Sequence, residues 1–430
     1  MKYPQLKSSL FEKNRKKAIN NLLLNSLAII HSNDQMPRNG DQYHPFHQNP
    51  DLFYLTGIDQ EKTILTLCPN HPNKDLRVIL FIIESNEKIA VWEGHKYTKE
   101  EAIKTSGIKT IKYLSDFEST FRELAINTDN IYLNLNENSK FKTDVASADE
   151  RFVDTLKKDF PTHELKRLAP IMKRLRLRKE SEEIELMQEA CDITNKAFHR
   201  ILKFVKPNVT EYEVEAEITH EFLWNRANGH AYAPIIASGK SACVLHYIEN
   251  NKKCNDGDLL LMDFGAEYAN YAADCTRTIP VNGKFTPRQK ECYEAVLRVM
   301  KKATSWLTPG TTINKVNEEV EKLCQEEHIK LGLYTQEDVN KQDPNKPLLK
   351  KYFPHGTCHF IGLDVHDVGD RTSILEEGMI LTCEPGIYIP EENIGIRIEN
   401  DIVVGLNPKD LMKNIPREVE EIEQLMAKIK

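Results

Sequence analysis

The 430-residue chain has no Cys-x-x-Cys pair, no long apolar run and no excess of basic charge. Its longest apolar run, Val78 to Ile83, falls far short of the ~20 residues a membrane span needs. That run reads as a buried strand. The stretch from Met1 to Lys17 is polar and charged, without the apolar segment of a signal peptide. The nine cysteines are odd in number and irregularly spaced, which argues against a disulfide framework and a thiolate zinc site. They suit a reducing, cytoplasmic setting. Acids number 65 against 58 bases, a formal net charge of -7, which is the wrong sign for a chain that grips nucleic-acid backbones. One basic stretch, Lys173, Arg174, Arg176, Arg178 and Lys179, reads as a solvated linker or helix start. There is no phosphate loop and no G-x-G-x-x-G.

What is present is an α/β pattern in two parts. In residues 1–172, Ile64–Cys68, Val78–Ile83, Ile89–Trp92 and Ile131–Leu135 read as strands. Thr98–Thr105, opened by the capping box Thr98-x-x-Glu101, and Phe117–Ala125 read as helices. In residues 173–430, Ile184, Met187, Cys191, Thr194, Phe198, Ile201 and Val205 recur at helical spacing. Thr210-x-x-Glu213 opens a second helix, and strand-like sequence runs from Asp258 to Pro280. Thr286-Pro287-x-Gln289 opens a third helix, and Ile313, Val316, Val320 and Leu323 mark a fourth. Strand-like segments return from Met379 to Val404. The order helix, helix, strands occurs twice. It predicts a pseudo-twofold repeat whose halves face each other across a cleft.

Four acids stand in apolar strand contexts, where a free carboxylate is costly. They are Asp263 in Leu-Leu-Leu-Met-Asp-Phe-Gly, Asp274 in Tyr-Ala-Ala-Asp-Cys-Thr, Glu384 in Leu-Thr-Cys-Glu-Pro-Gly and Glu399 in Gly-Ile-Arg-Ile-Glu-Asn. Gly265 and Asn270 suit a hairpin that brings Asp263 and Asp274 together. Each half of the repeat thus supplies a pair, and four clustered carboxylates repel one another unless cations hold them. Two divalent ions balance that charge. Spacing of four puts His355 and His359 on one face of a strand or a helix, with His366 following. Asp364 and Asp367 could orient imidazoles or be solvated loop acids. His246 stands shortly before the first carboxylate strand. Cys275, Cys358 and Cys383 each adjoin one of these residues. Alternation on a strand turns such neighbours away from the site, as small buried hydrophobes.

Together these segments resemble the pita-bread metallopeptidases and, within them, the aminopeptidase P family. The resemblance rests on Leu-Met-Asp263-Phe-Gly with Asp274, on His355-Gly-x-x-His359-x-x-Gly-Leu-Asp-Val-His366-Asp, on Glu384-Pro-Gly-x-Tyr388 and on Ile-Arg397-Ile-Glu399. Gln48-Asn-Pro-Asp51-Leu-Phe-Tyr-Leu-Thr-Gly57 is similar to the N-terminal domain shared with prolidase and creatinase. The resemblance implies a creatinase-like α/β domain over 1–172 and a pita-bread catalytic domain over 173–430. It implies Asp263, Asp274, His359, Glu384 and Glu399 as ligands of two divalent ions, with Asp274 and Glu399 bridging. His246, His355 and His366 match the family's active-site histidines, and Tyr388 and Arg397 match its pocket residues. The segment after Gly369 is shorter than in several relatives, which leaves the place of Arg371 open.

Such ions lower the pKa of a bound water enough for attack on a scissile carbonyl, with Glu384 shuttling the proton. Oxygen-rich ligation with one histidine favours manganese, with cobalt, iron and zinc still open. The implied activity is release of the first residue from peptides with proline second, by a dimer or tetramer. The alternatives are a prolidase confined to Xaa-Pro dipeptides and a metal-free peptide-binding scaffold.

Overall fold

The computed structural model describes residues 3–138, 141 and 143–427. The chain divides into two compact units, residues 3–176 and residues 177–430. Among the described residues no helix is long and apolar enough to cross a membrane.

The first unit is built on a six-stranded mixed sheet. Its strand order is Thr110–Tyr113, Val78–Ile82, Ile64–Leu67, Ser26–His31, Asn130–Leu133, Glu164–Arg167. The three strands starting at Ser26, Asn130 and Glu164 run parallel, and the strand Ile64–Leu67 is antiparallel to both neighbours. Helices Phe117–Ile126 and Ala148–Asp159 bury Phe121, Leu124, Val153 and Leu156 against Leu27, Ile29, Phe81 and Ile131. Ile89–Trp92, expected as a strand, lies in the helix Glu87–Glu93 instead. Asn86 caps that helix by accepting from the Ile89 N–H, and Gly94 ends it at a positive φ. None of its residues is buried, so local capping rather than burial decides its conformation.

The second unit repeats one pattern twice. Helix Ser181–Phe204 packs on helix Glu211–Trp224, and strands Ile235–Ser238, Leu259–Phe264 and Cys275–Pro280 form an antiparallel sheet. Helix Pro287–Thr304 packs on helix Ile313–Lys330, and strands Ile380–Cys383, Asn400–Val403 and Lys409–Asp410 form the matching sheet. The capping boxes at Thr210 and Thr286 form as the sequence indicates.

In each sheet a small hairpin interrupts the central pair of strands. In the first, Ala269 and Asn270 both adopt positive φ, as a two-residue hairpin turn requires. Gly265 is needed where this hairpin leaves the strand, because a Cβ there would lie 1.7 Å from the Ala273 carbonyl oxygen. The two sheets join where Glu399 N–H donates to Thr276 O (3.1 Å) and Asp274 N–H donates to Asp401 Oδ2 (3.1 Å). Arg277, fully buried, ties the same seam by donating to the carbonyls of Thr276, Glu399 and Pro416 and to Asn400 Oδ1.

The basic stretch is not a solvated linker throughout. Most of it forms the last part of helix Ala169–Leu177. Arg176 is buried and paired with Asp51 at 2.9 Å, and Lys179 is buried against Asp367. Partners at large sequence separation take these charges out of water, which local composition does not reveal.

Candidate metal centre

The four acids converge because of where they sit on the two sheets. Asp263 is inside the strand Leu259–Phe264, and Asp274 directly precedes the strand Cys275–Pro280. Glu384 directly follows Ile380–Cys383, and Glu399 directly precedes Asn400–Val403. The register Cys383 to Asn400 places Glu384 opposite Glu399. Asp274, His359 and Glu399 bring ligand atoms within 4.8 Å of one another. His359 Nε2 lies 3.3 Å from Asp274 Oδ2 and 3.9 Å from Glu384 Oε1. His359 Nδ1 faces Phe360 O at 3.0 Å, so Nδ1–H donates there and Nε2 is left for the site.

A second set of groups surrounds the acids. The Arg397 guanidinium donates to Asp263 Oδ2 (2.5 Å), to Tyr388 Oη (2.8 Å) and to Thr276 Oγ1 (3.0 Å). Thr276 Oγ1–H in turn donates to Glu399 Oε2 (2.6 Å). His355 Nδ1–H donates to Gly356 O (2.7 Å), which leaves Nε2 to accept from Tyr388 Oη–H (2.8 Å). Burial, and then the charge of Arg397, press the His355 imidazole down to about 3, so it is neutral. The result is a polar chain from Arg397 through Tyr388 to His355. His355 Nδ1 also lies 3.7 Å from Glu384 Oε2, so both histidines expected on one face reach Glu384. They do so from an irregular segment, not from a helix or a regular strand.

His366 sets its ring edge-on to that of His359, with centroids 4.5 Å apart. His246 is exposed in the turn after the short helix Gly239–Cys243. Arg371 sits beside Gly356, its Nη2 3.3 Å from where a Cβ of that residue would be. Asp367 is buried against Lys179. The cysteines beside these candidate ligands are buried and free, and the thiols of Cys358 and Cys383 face each other at hydrogen-bond range.

Tyr232 belongs to the centre and was not legible in the sequence. Its hydroxyl lies 2.5 Å from Asp263 Oδ1 and 2.6 Å from Asp274 Oδ1. One hydroxyl has one hydrogen to donate, so both contacts close only if a carboxyl holds a proton or a cation is shared. A lone tyrosine in Gly229-His-Ala-Tyr-Ala-Pro carries no signal of this; it is the pairing of the next strand, Ile235 opposite Asp263, that delivers it. Substituting Tyr232→Phe is expected to weaken metal affinity or turnover about 10- to 100-fold, as loss of such outer contacts does. Titration calorimetry with the metal-stripped variant, paired with peptide turnover, checks this.

The donor set fits divalent cations. Burial first, then mutual repulsion, push Glu384 up to about 7 and hold Glu399 well above the usual carboxylate range. Burial also raises Asp263, with Arg397 opposing and Asp274 adding. Arg397 faces three of these carboxylates, Asp263, Glu399 and Glu384. Four carboxylates with one imidazole suit hard divalent ions.

The chain matches the model of metallopeptidase family M24 over residues 185–405 and that of the aminopeptidase P N-terminal domain over residues 11–132. It is 34% identical to the Xaa-Pro aminopeptidase of Escherichia coli, with 97% of each chain covered. It is 31% identical to human Xaa-Pro aminopeptidase 3, covering 93% of this chain and 80% of the human one. The solved structure of zinc-substituted E. coli aminopeptidase P in complex with product superposes with a TM-score of 0.89 at 31% identity, covering 99% of this chain and 100% of that one. The chain belongs to metallopeptidase family M24, and within it to the aminopeptidases P.

Proposed function

We propose that this chain is a dinuclear metallo-aminopeptidase that releases the N-terminal residue from peptides with proline in the second position. The observation that carries the reading is that Asp274, His359 and Glu399 bring ligand atoms within 4.8 Å of one another, with Glu384 Oε1 3.9 Å from His359 Nε2 and Asp263 joined to Asp274 through Tyr232. Asp263, Asp274, His359, Glu384 and Glu399 would hold the two ions. When bound, the ions supply an activated water and polarise the scissile carbonyl. Manganese is the native metal in this reading, supported by the hardness of the donor set. The E. coli relative has been solved with zinc in place.

Glu384 takes the proton from the attacking water and delivers it to the proline nitrogen as that bond breaks. Its position between His355 and His359, and its raised affinity for a proton, suit that work. His246 and His366 donate to the developing oxyanion from the exposed side of the site. His355, neutral and fixed between Tyr388 and the Gly356 carbonyl, lines the site beside Glu384, and Arg397 holds Tyr388 and Asp263 in place. Residues 1–172 form the N-terminal domain and 173–430 the catalytic domain, supported by the two compact units. The chain works in the cytoplasm, a setting that nine free cysteines suit, as a dimer or tetramer that sedimentation can establish.

Two bacterial relatives named Xaa-Pro aminopeptidase match over 96% and 97% of their length, which favours this activity over that of a dipeptide-only prolidase. The deciding experiment compares an Xaa-Pro dipeptide with an Xaa-Pro-Xaa tripeptide, using stripped enzyme reloaded with manganese, cobalt, iron or zinc. Turnover of the tripeptide is expected, highest with manganese. Hydrolysis of the dipeptide alone would sink the aminopeptidase reading.

A further inference from the structure

The segment that carries His355, His359 and His366 has little regular structure, so something other than a helix or sheet must fix its far end. Two backbone bonds fold it back on itself and a third ties it to the hairpin at Ala272. Asp367 N–H donates to Phe360 O (2.9 Å), Gly362 N–H to Asp364 O (3.0 Å) and Ala272 N–H to Gly362 O (2.8 Å). At the end of this loop, adjacent residues face opposite ways. His366 is exposed, with its ring against His359. The Asp367 side chain is 1% exposed and lies 3.0 Å from Lys179 Nζ, whose side chain is also 1% exposed. Lys179 is itself anchored, its N–H donating to Gly378 O at 2.9 Å. The loop backbone presses directly on the pair: a Cβ at Gly362 would come within 2.3 Å of Asp367 Oδ2 and 2.8 Å of Lys179 Cε.

A buried ion pair stabilises little compared with apolar packing of the same volume. What it adds is direction. An ammonium holds a carboxylate at one distance and angle, whereas an apolar contact tolerates sliding. Here that direction is passed on through a single peptide unit to His366. We infer that Lys179, acting through Asp367, is a positioning residue for His366 and sets where that imidazole stands over the metal centre. The inference rests on the reading that His366 acts in the reaction. It gives Lys179, the last residue of the basic stretch, a task inside the catalytic unit.

The test is a double-mutant cycle in the metal-loaded full chain, with Lys179→Met, His366→Ala and the two combined. Lys179→Met is expected to lower kcat/KM on an Xaa-Pro tripeptide at least about tenfold in the wild-type background and less than about twofold in the His366→Ala background. Metal content, measured in all four proteins, is expected to stay at the wild-type value. An equal loss in both backgrounds would overturn the inference, because Lys179 would then act on the fold at large. Wild-type activity in His366→Ala alone would refute the underlying reading of His366, and the inference with it. If Lys179→Met does not accumulate as folded protein, Asp367→Asn, which keeps the shape of the side chain but removes the charge that holds it to the ammonium, enters the same cycle with the same two outcomes.

Discussion

Replacing Asp274 by alanine is expected to abolish binding of at least one divalent ion and to lower peptide turnover by on the order of 10⁴-fold. A metal acting as Lewis acid and source of nucleophile supplies several kcal/mol to the transition state, and each 1.4 kcal/mol is about a decade in rate. Asp274 is central to the donor set. Its Oδ1 faces Tyr232, its Oδ2 faces His359, and its neighbour in the ligand group is Glu399. Above about pH 9, where His359 has lost the proton it shares with Asp274, the same variant is expected to fold at least as well as wild type in the absence of metal. Asp274 is the first charge, after burial itself, that raises both Glu399 and Asp401, so its removal relieves repulsion among buried acids. The backbone N–H of residue 274 remains to donate to Asp401. Lost activity together with an undiminished melting temperature is therefore the signature of a ligand, as opposed to a structural residue. Turnover within about tenfold of wild type would remove Asp274 from the ligand set.

The candidate ligands stand out in the sequence because their chemistry conflicts with their setting. Asp263 follows Leu-Leu-Leu-Met and Glu384 follows Leu-Thr-Cys, and such acids in buried strands need a partner. The hairpin between Asp263 and Asp274 was legible through Gly265 and Asn270, and both prove necessary for steric and conformational reasons. Other features depend on partners far along the chain. Lys179 meets Asp367 188 residues away, and Tyr232 reaches Asp274 42 residues away, with nothing local to announce either contact. Ile89–Trp92 failed for a different reason. A short apolar run fits a strand or a helix equally, and the deciding signals were the flanking Asn86 and Gly94. The segment His355 to His366 lies between these cases. Its residue types pointed to metal chemistry, but its irregular backbone is set by contacts with Ala272, Thr382 and Lys179.

Stripping the metal with a chelator is expected to abolish turnover and also to reverse how stability depends on pH. In the stripped chain burial pulls the His359 imidazole down, but the bond to Asp274 and the charges of Glu384 and Asp274 outweigh it and push it up to about 9. An unfolded histidine titrates near 6.5. The folded state therefore holds a proton that the unfolded state has lost, and the associated stability, full below pH 6.5, disappears as pH rises through about 9. Glu384, raised to about 7, acts in the same direction, since an acid that stays protonated only when folded favours folding less as pH rises. His355, pressed down to about 3, has the opposite sign, but its effect is nearly spent once the unfolded imidazole has lost its proton, and between pH 6.5 and 8.5 it adds back only about 0.4 kcal/mol. Between pH 6.5 and 8.5 the stripped protein should thus lose about 2 kcal/mol, a few degrees of melting temperature. Bound metal demands the deprotonated forms of the same groups, so its affinity rises over the same range and the loaded protein gains stability there. Thermal melts at pH 6.5, 7.5 and 8.5, with chelator and with manganese, should show two curves that diverge as pH rises. A stripped protein whose melting temperature climbs with pH would mean that His359 and Glu384 do not share the centre described here.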